Sequence, residues 1–428
     1  MKKVLIITYY WPPAGGPGVQ RWLKFVKYLP EYDVEPVVYI PENPNYPILD
    51  ESLVEEVPND LKIVKQPINE PYKAARFVSK GKTDKLSKGV IQGQQRQSLK
   101  ERLLLFIRGN FFIPDARKNW VKPSVEFLSK YLEEQQIDTV ITSGPPHSLH
   151  LIGLRLKKLA NINWIADFRD PWTTIGYHQK LKLTSVSKKK HLALENKVLQ
   201  RADKLIVTSN TTKKEFEQKT TTSIRCITNG FDGTRPSTVP DTLFTLSHIG
   251  SLLTDRNPVG LWSVLGELIK ENALFSEKLR IQLIGVVGEE VLESLDAHGL
   301  SGHVVALGYL PHDAVVAYQT KSQVLLLTEI DAKETQGIIP GKLFEYLKAE
   351  RPVLALGPEY WEAGELVEKS QSGRYIQVND VKTIKLVVLD WFEQYKNRKL
   401  TVATKGIEKY HRRELTQSLA DFITWESS

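Results

Sequence analysis

The chain has 428 residues, with 58 Lys+Arg against 50 Asp+Glu for a formal net charge of +8, and 41% of it is hydrophobic. Such a composition supports packed cores in two or three domains and excludes disordered, collagen-like and low-complexity chains. No apolar run approaches the ~18 residues of a membrane span, and the lone Cys226 excludes an internal disulfide or a cysteine-built metal cage, so a cytoplasmic chain is expected.

Short β-rich apolar runs alternate with stretches of helical period along the whole chain, which is the pattern of parallel α/β units. Strands are predicted over 4–8, 36–40, 139–142, 163–168, 204–208 and 224–228, then 242–249, 280–284, 303–307, 323–328 and 352–356, with helices between them over, for example, 18–29, 147–160, 259–270 and 342–348. So many strands exceed one ordinary sheet, and the predicted fold is α/β with two Rossmann-like doubly wound parallel-sheet domains in series. The polar, proline-punctuated stretch 233–240 is the expected linker, and the Gln/Lys/Ser-rich stretch 73–100 is expected to be a mobile insertion in the first domain.

Open α/β sheets bind ligands beyond the carboxyl ends of their strands, so the residues that follow each strand matter most. The first strand leads into Gly15-Gly16-Pro17-Gly18, where glycine lets backbone N–H groups approach an anion at a helix start. Neither a G-x-G-x-x-G fingerprint nor a P-loop is present. The third predicted strand leads into Ser143-Gly144-Pro145-Pro146-His147, and His147 is a candidate hydrogen-bonding or acid/base group. His150 lies one helical turn on, but without a third ligand no metal site is expected. Asp167, Arg169 and Asp170 form either an ion-pair network or a substrate grip. In the second half Gly250, Gly285 and Gly308-Tyr309-Leu310 follow strands in the same way. Two such edges facing one another would make an interdomain cleft, the expected site.

The most specific segment runs from Gly337 to Leu347, where Gly337-Ile338-Ile339-Pro340-Gly341 passes into a helix carrying Lys342 and Glu345 near its start. A lysine suits a pyrophosphate and a carboxylate accepts from adjacent hydroxyls, so the pair fits a nucleoside diphosphate. The positive charge is local. Between Lys73 and Lys122 there are 13 Lys+Arg against Asp84, Glu101 and Asp115, a balance of +10, which leaves −2 for the rest of the chain. A second group, Lys180, Lys182, Lys188, Lys189 and Lys190, lies where no acid occurs from Pro171 to Leu194. With Leu103 to Ile107 and Phe111 to Ile113 among these cations, an anionic membrane surface is an expected partner, whereas no nucleic-acid module is recognisable.

Asn229-Gly230-Phe231-Asp232, Gly308-Tyr309-Leu310-Pro311-His312 and Lys342-Leu343-Phe344-Glu345-Tyr346-Leu347 followed by Arg351-Pro352-Val353-Leu354, together with Gly15-Gly16, resemble the retaining glycosyltransferases of family 4. The resemblance implies a GT-B fold: an acceptor-side domain over 1–235 with the basic insertion at 73–122, a nucleotide-sugar-binding domain over 241–405, and a helix over 406–428 crossing back to the first domain. It implies a UDP- or GDP-sugar donor, no metal or other cofactor, a glycan or lipid-linked acceptor, and a cytoplasmic enzyme peripheral to the inner face of the membrane. It assigns catalytic roles to His147, at the donor sugar, and to Arg256 and Lys342, at the pyrophosphate. Glu345 would accept the ribose hydroxyls, Tyr309 and Leu310 would meet the base, and Gly16, Gly250, Gly337, Ile338 and Ile339 would line the donor. Arg169 and Asp170 fall on the acceptor side.

The chain departs from the family pattern in two places: Gly337 stands where the family has a glutamate, and Leu261 where a lysine commonly follows the phosphate-binding arginine. Two other readings compete with transfer, namely a nucleotide-sugar epimerase on the same fold and a non-catalytic binder of nucleotide sugar or glycan.

Overall fold

Helices between consecutive strands force those strands to run parallel, and a parallel sheet needs both faces covered. The computed structural model describes residues 1–70, 99–179, 181–235 and 238–425. It divides into two units, Met1–Asn229 with Arg412–Ser428, and Gly230–His411.

The first unit holds seven strands, β1 (Lys2–Ile7), β2 (Val34–Pro41), β3 (Lys62–Gln66), β4 (Thr139–Gly144), β5 (Asn163–Phe168), β6 (Lys204–Val207) and β7 (Ser223–Cys226), in the order β3-β2-β1-β4-β5-β6-β7. Every adjacent pair is parallel. Val4 to Ile7 of β1 are fully buried on both faces, as a central strand of such a sheet must be. On one face α1 (Pro17–Tyr28) and α13 (Arg412–Thr424) close over Val4, Ile6, Ile141 and Ile165 with Trp22, Leu419 and Phe422. On the other, α3 (Val121–Glu134) and α4 (Ser148–Leu159) pack Leu128 and Ile152 against Leu5, Val140 and Trp164. Two further helices, α2 (Leu99–Phe111) and α5 (Ser185–Arg201), complete the parts used below.

The second unit holds six strands, β8 (Phe244–Ile249), β9 (Leu279–Ile284), β10 (Val304–Gly308), β11 (Val324–Thr328), β12 (Val353–Gly357) and β13 (Gly373–Gln377), in the order β10-β9-β8-β11-β12-β13, again all parallel. Trp262 and Leu265 of α7 (Val259–Glu271) meet Val388 and Phe392 of α12 (Val381–Lys396) on one face. The other face receives α10 (Lys342–Ala349) and α11 (Glu362–Lys369). With eight residues, α10 is shorter than the ~12–15 that make an isolated helix even marginal. Burial of Leu343, Phe344 and Leu347, at ~1.5–3 kcal/mol for each large apolar side chain, holds it instead.

Two strands are absent from the sequence expectation. Both are edge strands: KIVKQ in β3 and GRYIQ in β13 are only partly buried, so neither carries the apolar run of a central strand. The reading of 73–122 as an insertion needs correction. Residues 71–98, and with them most of the stretch expected to be mobile, lie outside the described residues. The rest is structural: Leu99 to Phe111 is helix, and Trp120 and Val121 are core residues. The units divide at Asn229, ahead of the 233–240 stretch, because Phe231 already belongs to the second core and Arg235 pairs with Glu350; Pro236 and Ser237 lie outside the described residues. Among the described residues no helix is long and apolar enough to cross a membrane.

A single carboxylate ties the first sheet to its helices. Asp167 at the end of β5 accepts from Arg21 Nη2 at 3.0 Å and Nε at 3.3 Å, Trp22 Nε1 at 2.9 Å and Ser143 Oγ at 2.8 Å. The Asp167 and Arg21 side chains are 0% and 1% exposed. Replacing Asp167 by Ala strands a buried guanidinium, which costs ~3–5 kcal/mol. Asp167→Ala is therefore expected to lower the midpoint of thermal denaturation sharply, and an unchanged midpoint would show that the Arg21–Asp167 pair contributes nothing.

Candidate functional site

In a doubly wound sheet the crevice opens where strand order reverses, here at β1/β4 in the first unit and β8/β11 in the second. The candidate residues fall on those edges, in two separate clusters.

In the first unit Gly16 has φ 94, a backbone open to glycine, and Pro17 starts α1 directly after it. The guanidinium of Arg169 crosses from β5 to this loop. It donates to Gly18 O at 2.9 Å, to Gly144 O at 3.4 Å and to Pro145 O. A Cβ on Gly18 would lie 2.4 Å from Arg169 Nη1, so glycine there makes room for the brace. Arg169 thus holds two loops together, while burial pushes the neighbouring Asp170 carboxyl up against the opposing pull of Arg169.

His147 is 5% exposed, and neither of its ring nitrogens has a hydrogen-bond partner. Its ring stacks on Trp172 at 4.9 Å between centroids and 3° between planes, and Trp172 Nε1 donates to His191 Nδ1 at 3.0 Å. Asp115 accepts from Ser148 N and Oγ, both at 2.8 Å, and so caps α4 just beyond His147. Burial holds the His147 imidazole well below its ordinary range, with the charges of His150 and Arg169 acting the same way. His147 is therefore neutral near pH 7, with a ring nitrogen free to accept and an N–H free to donate. His150 has a structural place: its Nδ1 meets Thr142 Oγ1 at 2.9 Å, and Trp164 Nε1 donates to the same hydroxyl at 2.9 Å.

In the second unit Gly250 (φ 108) ends β8, and its carbonyl lies 2.7 Å from where a Cβ on Gly285 would stand. Lys342 Nζ is 3.5 Å from the position of a Cβ on Gly250 and 3.1 Å from His248 Nε2. Arg256 is gripped by Glu329 through Nε at 2.8 Å and Nη2 at 3.1 Å. Gly250, Arg256 and Lys342 are thus brought together. Burial pushes Lys342 down to about 7, and Arg256 adds to that while Glu329 opposes it. Glu329 is occupied by Arg256 and by Ile330 N at 2.9 Å, so the cluster has more cationic than anionic capacity.

Glu345 accepts from Gln319 Nε2 at 2.8 Å, and Tyr346 Oη, accepting from Ile249 N at 3.0 Å, pins α10 to the end of β8. Tyr309 is 70% exposed after β10, whereas Leu310 leans on the core. Gly337, Ile338 and Ile339 form the loop before α10, held by Trp361 Nε1 donating to Ile338 O at 2.8 Å. Sequence reasoning missed His248 and Glu329, and Trp172 counted only as one of the residues following β5. The one available signal was position, since His248 and Glu329 stand at the ends of β8 and β11. Among the described residues no group of three or more His, Cys, Asp or Glu is arranged to hold a metal ion.

Chemically, the second cluster is an anion cradle of Arg256 and Lys342 beside left-handed glycine backbone, and the first offers the neutral imidazole of His147. Two units, each built on a parallel Rossmann-like sheet, make up a GT-B fold. Residues 90–235 match the sequence model of Glycosyltransferase Family 4, and of the motifs that carry the family-4 resemblance Asn229-Gly230-Phe231-Asp232 lies within that match. No curated protein matches the chain.

Solved structures share the fold over nearly the full length. HepE of Anabaena in complex with UDP is 13% identical with a TM-score of 0.60, over 99% of this chain and 95% of that one. WaaG, a glycosyltransferase involved in lipopolysaccharide biosynthesis, is 13% identical with a TM-score of 0.56, over 99% of this chain and 100% of that one. A putative UDP-N-acetylglucosamine 2-epimerase from Listeria monocytogenes is 12% identical with a TM-score of 0.54, over 99% and 96%.

The Lys342 cluster carries a pH signature. With its free value at about 7, Lys342 must take up a proton when a polyanion fills the cradle, so affinity falls as pH rises above 7, by up to ~tenfold per pH unit. Pyrophosphate titrated calorimetrically between pH 7 and 9 is expected to show this loss, and Lys342→Met to bind more weakly and remove it. The ligand's own ionisation is common to both proteins, so parallel profiles would exclude Lys342 from the cradle.

Proposed function

We propose that the protein is a retaining, metal-independent glycosyltransferase. It moves a sugar from a UDP- or GDP-sugar to a hydroxyl of a glycan or lipid-linked acceptor in surface-polysaccharide or glycoconjugate assembly. The observation that carries this reading is the cation-rich cradle of Gly250, Arg256 and Lys342, one helical turn from Glu345. The UDP complex of HepE and the lipopolysaccharide role of WaaG support the donor and pathway parts.

In this reading Arg256 and Lys342 neutralise the diphosphate as the bond from the anomeric carbon to the phosphate oxygen breaks. The acceptor hydroxyl forms its new bond on the face the leaving group vacates, and its proton passes to a diphosphate oxygen. No side-chain nucleophile is required. Glu345 accepts the ribose hydroxyls, Tyr309 and Leu310 lie at the base, and the backbone of Gly337, Ile338 and Ile339 meets the sugar. His147 offers the sugar a neutral ring nitrogen with Gly16 beside the donor, and Asp170 receives the acceptor in a loop braced by Arg169. The likeness to an epimerase keeps a second reading in view. Incubation with UDP- and GDP-sugars separates the two, because transfer releases nucleoside diphosphate only with acceptor and epimerisation yields a new sugar without one.

Glu345→Ala tests the donor site directly. Losing charge-assisted bonds worth ~1.5–3 kcal/mol each weakens nucleotide binding by roughly one to three orders of magnitude, whereas a helix-terminal acid acting only on the dipole contributes ~0.3–1 kcal/mol and leaves the ligand alone. Calorimetry on the folded variant distinguishes these outcomes, and affinity within about twofold of the parent would remove Glu345 from the site.

A lipid-linked acceptor implies a surface that meets a membrane. Leu103, Leu104, Phe106, Ile107 and Phe111 of α2 are all exposed. Asn110 Nδ2 donates to Lys182 O at 3.2 Å and Asn110 Oδ1 accepts from Thr184 N at 2.8 Å, joining α2 to the start of α5, where Lys188, Lys189 and Lys190 face solvent. Apolar side chains beside cations suit an anionic leaflet, at ~1 kcal/mol per basic residue. The protein is expected to sediment with phosphatidylglycerol vesicles at low salt and to be released at high salt, and failure to sediment at low salt would remove the membrane from the reading.

A further inference from the structure

We propose that Tyr360 is an aromatic platform on which the pyranose ring of the donor sugar stacks. The proposal rests on the donor reading above and extends it to a residue and a ligand face that reading does not use.

Among the described residues of the second unit, the exposed large aromatics are Tyr309 and Tyr360, at 70% and 71%, and both stand on the carboxyl edge of the sheet, after β10 and β12. A single exposed aromatic is unremarked on most proteins. Tyr360, however, has φ 59, the left-handed backbone that a bulky residue seldom adopts and that persists only where surrounding structure imposes it.

That structure is present on both sides of the residue. Tyr375 Oη donates to Pro358 O and accepts from Trp361 N at 3.2 Å, bridging across Tyr360. Trp361 is buried immediately after it, and Gly357 gives its indole room, since a Cβ there would lie 2.4 Å from the ring. Three further bonds join this loop to the segment before α10. Gln336 Nε2 donates to Glu359 O at 2.8 Å, Glu362 N donates to Gln336 O at 2.9 Å, and Trp361 Nε1 donates to Ile338 O at 2.8 Å. The phenol is thus presented outward from a loop fixed to the Gly337–Gly341 segment.

That segment reads Gly-Ile-Ile-Pro-Gly and offers a sugar backbone groups and apolar side chains, with no charge. Its backbone suits hydroxyls. The C–H face of a pyranose is apolar and weakly positive, and the face of an aromatic ring is negative, so the two attract. Tyr360 supplies that face beside the loop.

The experiment compares sugar nucleotides with bare nucleotides by calorimetry on the parent, Tyr360→Asn and Tyr360→Phe. Asparagine accepts the left-handed backbone but has no ring, so melting temperature verifies that Tyr360→Asn is folded. The probes are UDP-glucose, UDP-N-acetylglucosamine and GDP-mannose, each against UDP or GDP. Stacking of this kind is worth roughly a two- to tenfold change in affinity. Tyr360→Asn is therefore expected to weaken the sugar nucleotide the parent prefers by that factor and to leave the bare nucleotide unchanged, while Tyr360→Phe matches the parent. Equal loss for sugar nucleotide and bare nucleotide, or no loss for either, would overturn the proposal. A parent that binds UDP and GDP but gains nothing from any of these sugars also overturns it while leaving the nucleotide site standing. A parent that binds no nucleotide at all removes the donor reading itself.

Discussion

The candidate sites of the two units rest on one constraint of the parallel sheet: all strands deliver their carboxyl ends to the same edge, and neighbouring crossovers part where the winding reverses. In the first unit that parting is flanked by β1 and β4, and in the second by β8 and β11. Backbone N–H groups, glycines of left-handed conformation and side chains from distant parts of the chain are collected there by topology. Gly16 and His147 meet the first reversal, and Gly250 and Glu329 the second, although more than a hundred residues or several elements separate each pair in sequence.

The two units handle buried charge in opposite ways. Asp167 is saturated, with Arg21, Trp22 and Ser143 all donating to it and Arg21 finding a further acceptor in Thr228 O at 3.0 Å. Such a carboxylate is a fastening, and nothing in its surroundings calls for a ligand. The Lys342 cluster is unsaturated. Its one buried carboxylate, Glu329, is engaged by Arg256, and the Lys342 amine rests on the ring of His248, whose own protonation burial and Lys342 together disfavour. A site that is short of anions is complementary to one that arrives from outside.

Central strands were legible in the sequence because burial on both faces demands continuous apolar runs, and 163–168 coincides with β5 end to end. Of the four edge strands, β7 and β10 were read from 224–228 and 303–307, whereas KIVKQ in β3 and GRYIQ in β13 were not, because lysine, arginine and glutamine interrupt their short apolar runs. Gly16, His147 and Gly250 could be read from their positions after strands, and Lys342 from its place at the start of the helix that follows Gly337-Ile338-Ile339-Pro340-Gly341. Glu329 and His248 were hidden by chemistry that the sequence does not display: a histidine inside an apolar strand looks like core, and an acid after a strand looks like a turn residue, until packing brings Lys342 and Arg256 to them. Arg169 illustrates the reverse, a charged residue expected on the acceptor side whose guanidinium serves three backbone carbonyls.

Lys204 is a buried ammonium at the start of β6 that donates to the final carbonyls of α13, to Phe422 O at 2.8 Å and Ile423 O at 3.4 Å as well as to Trp425 O. It neutralises the negative end of that helix and fixes it over the sheet. The helix follows the whole second unit in sequence, yet its Leu419, Phe422 and Ile423 fill the same core as Val4 and Ile6 of the first strand. On the ribosome, the first unit therefore emerges with one face of its sheet covered by α1 alone, while the second unit, continuous from Gly230 to His411, can close around its own core before α13 follows. The first unit closes only once residues 412–424 have joined it, so a chain cut before Arg412 leaves part of an apolar sheet face open for chaperones and proteases to find.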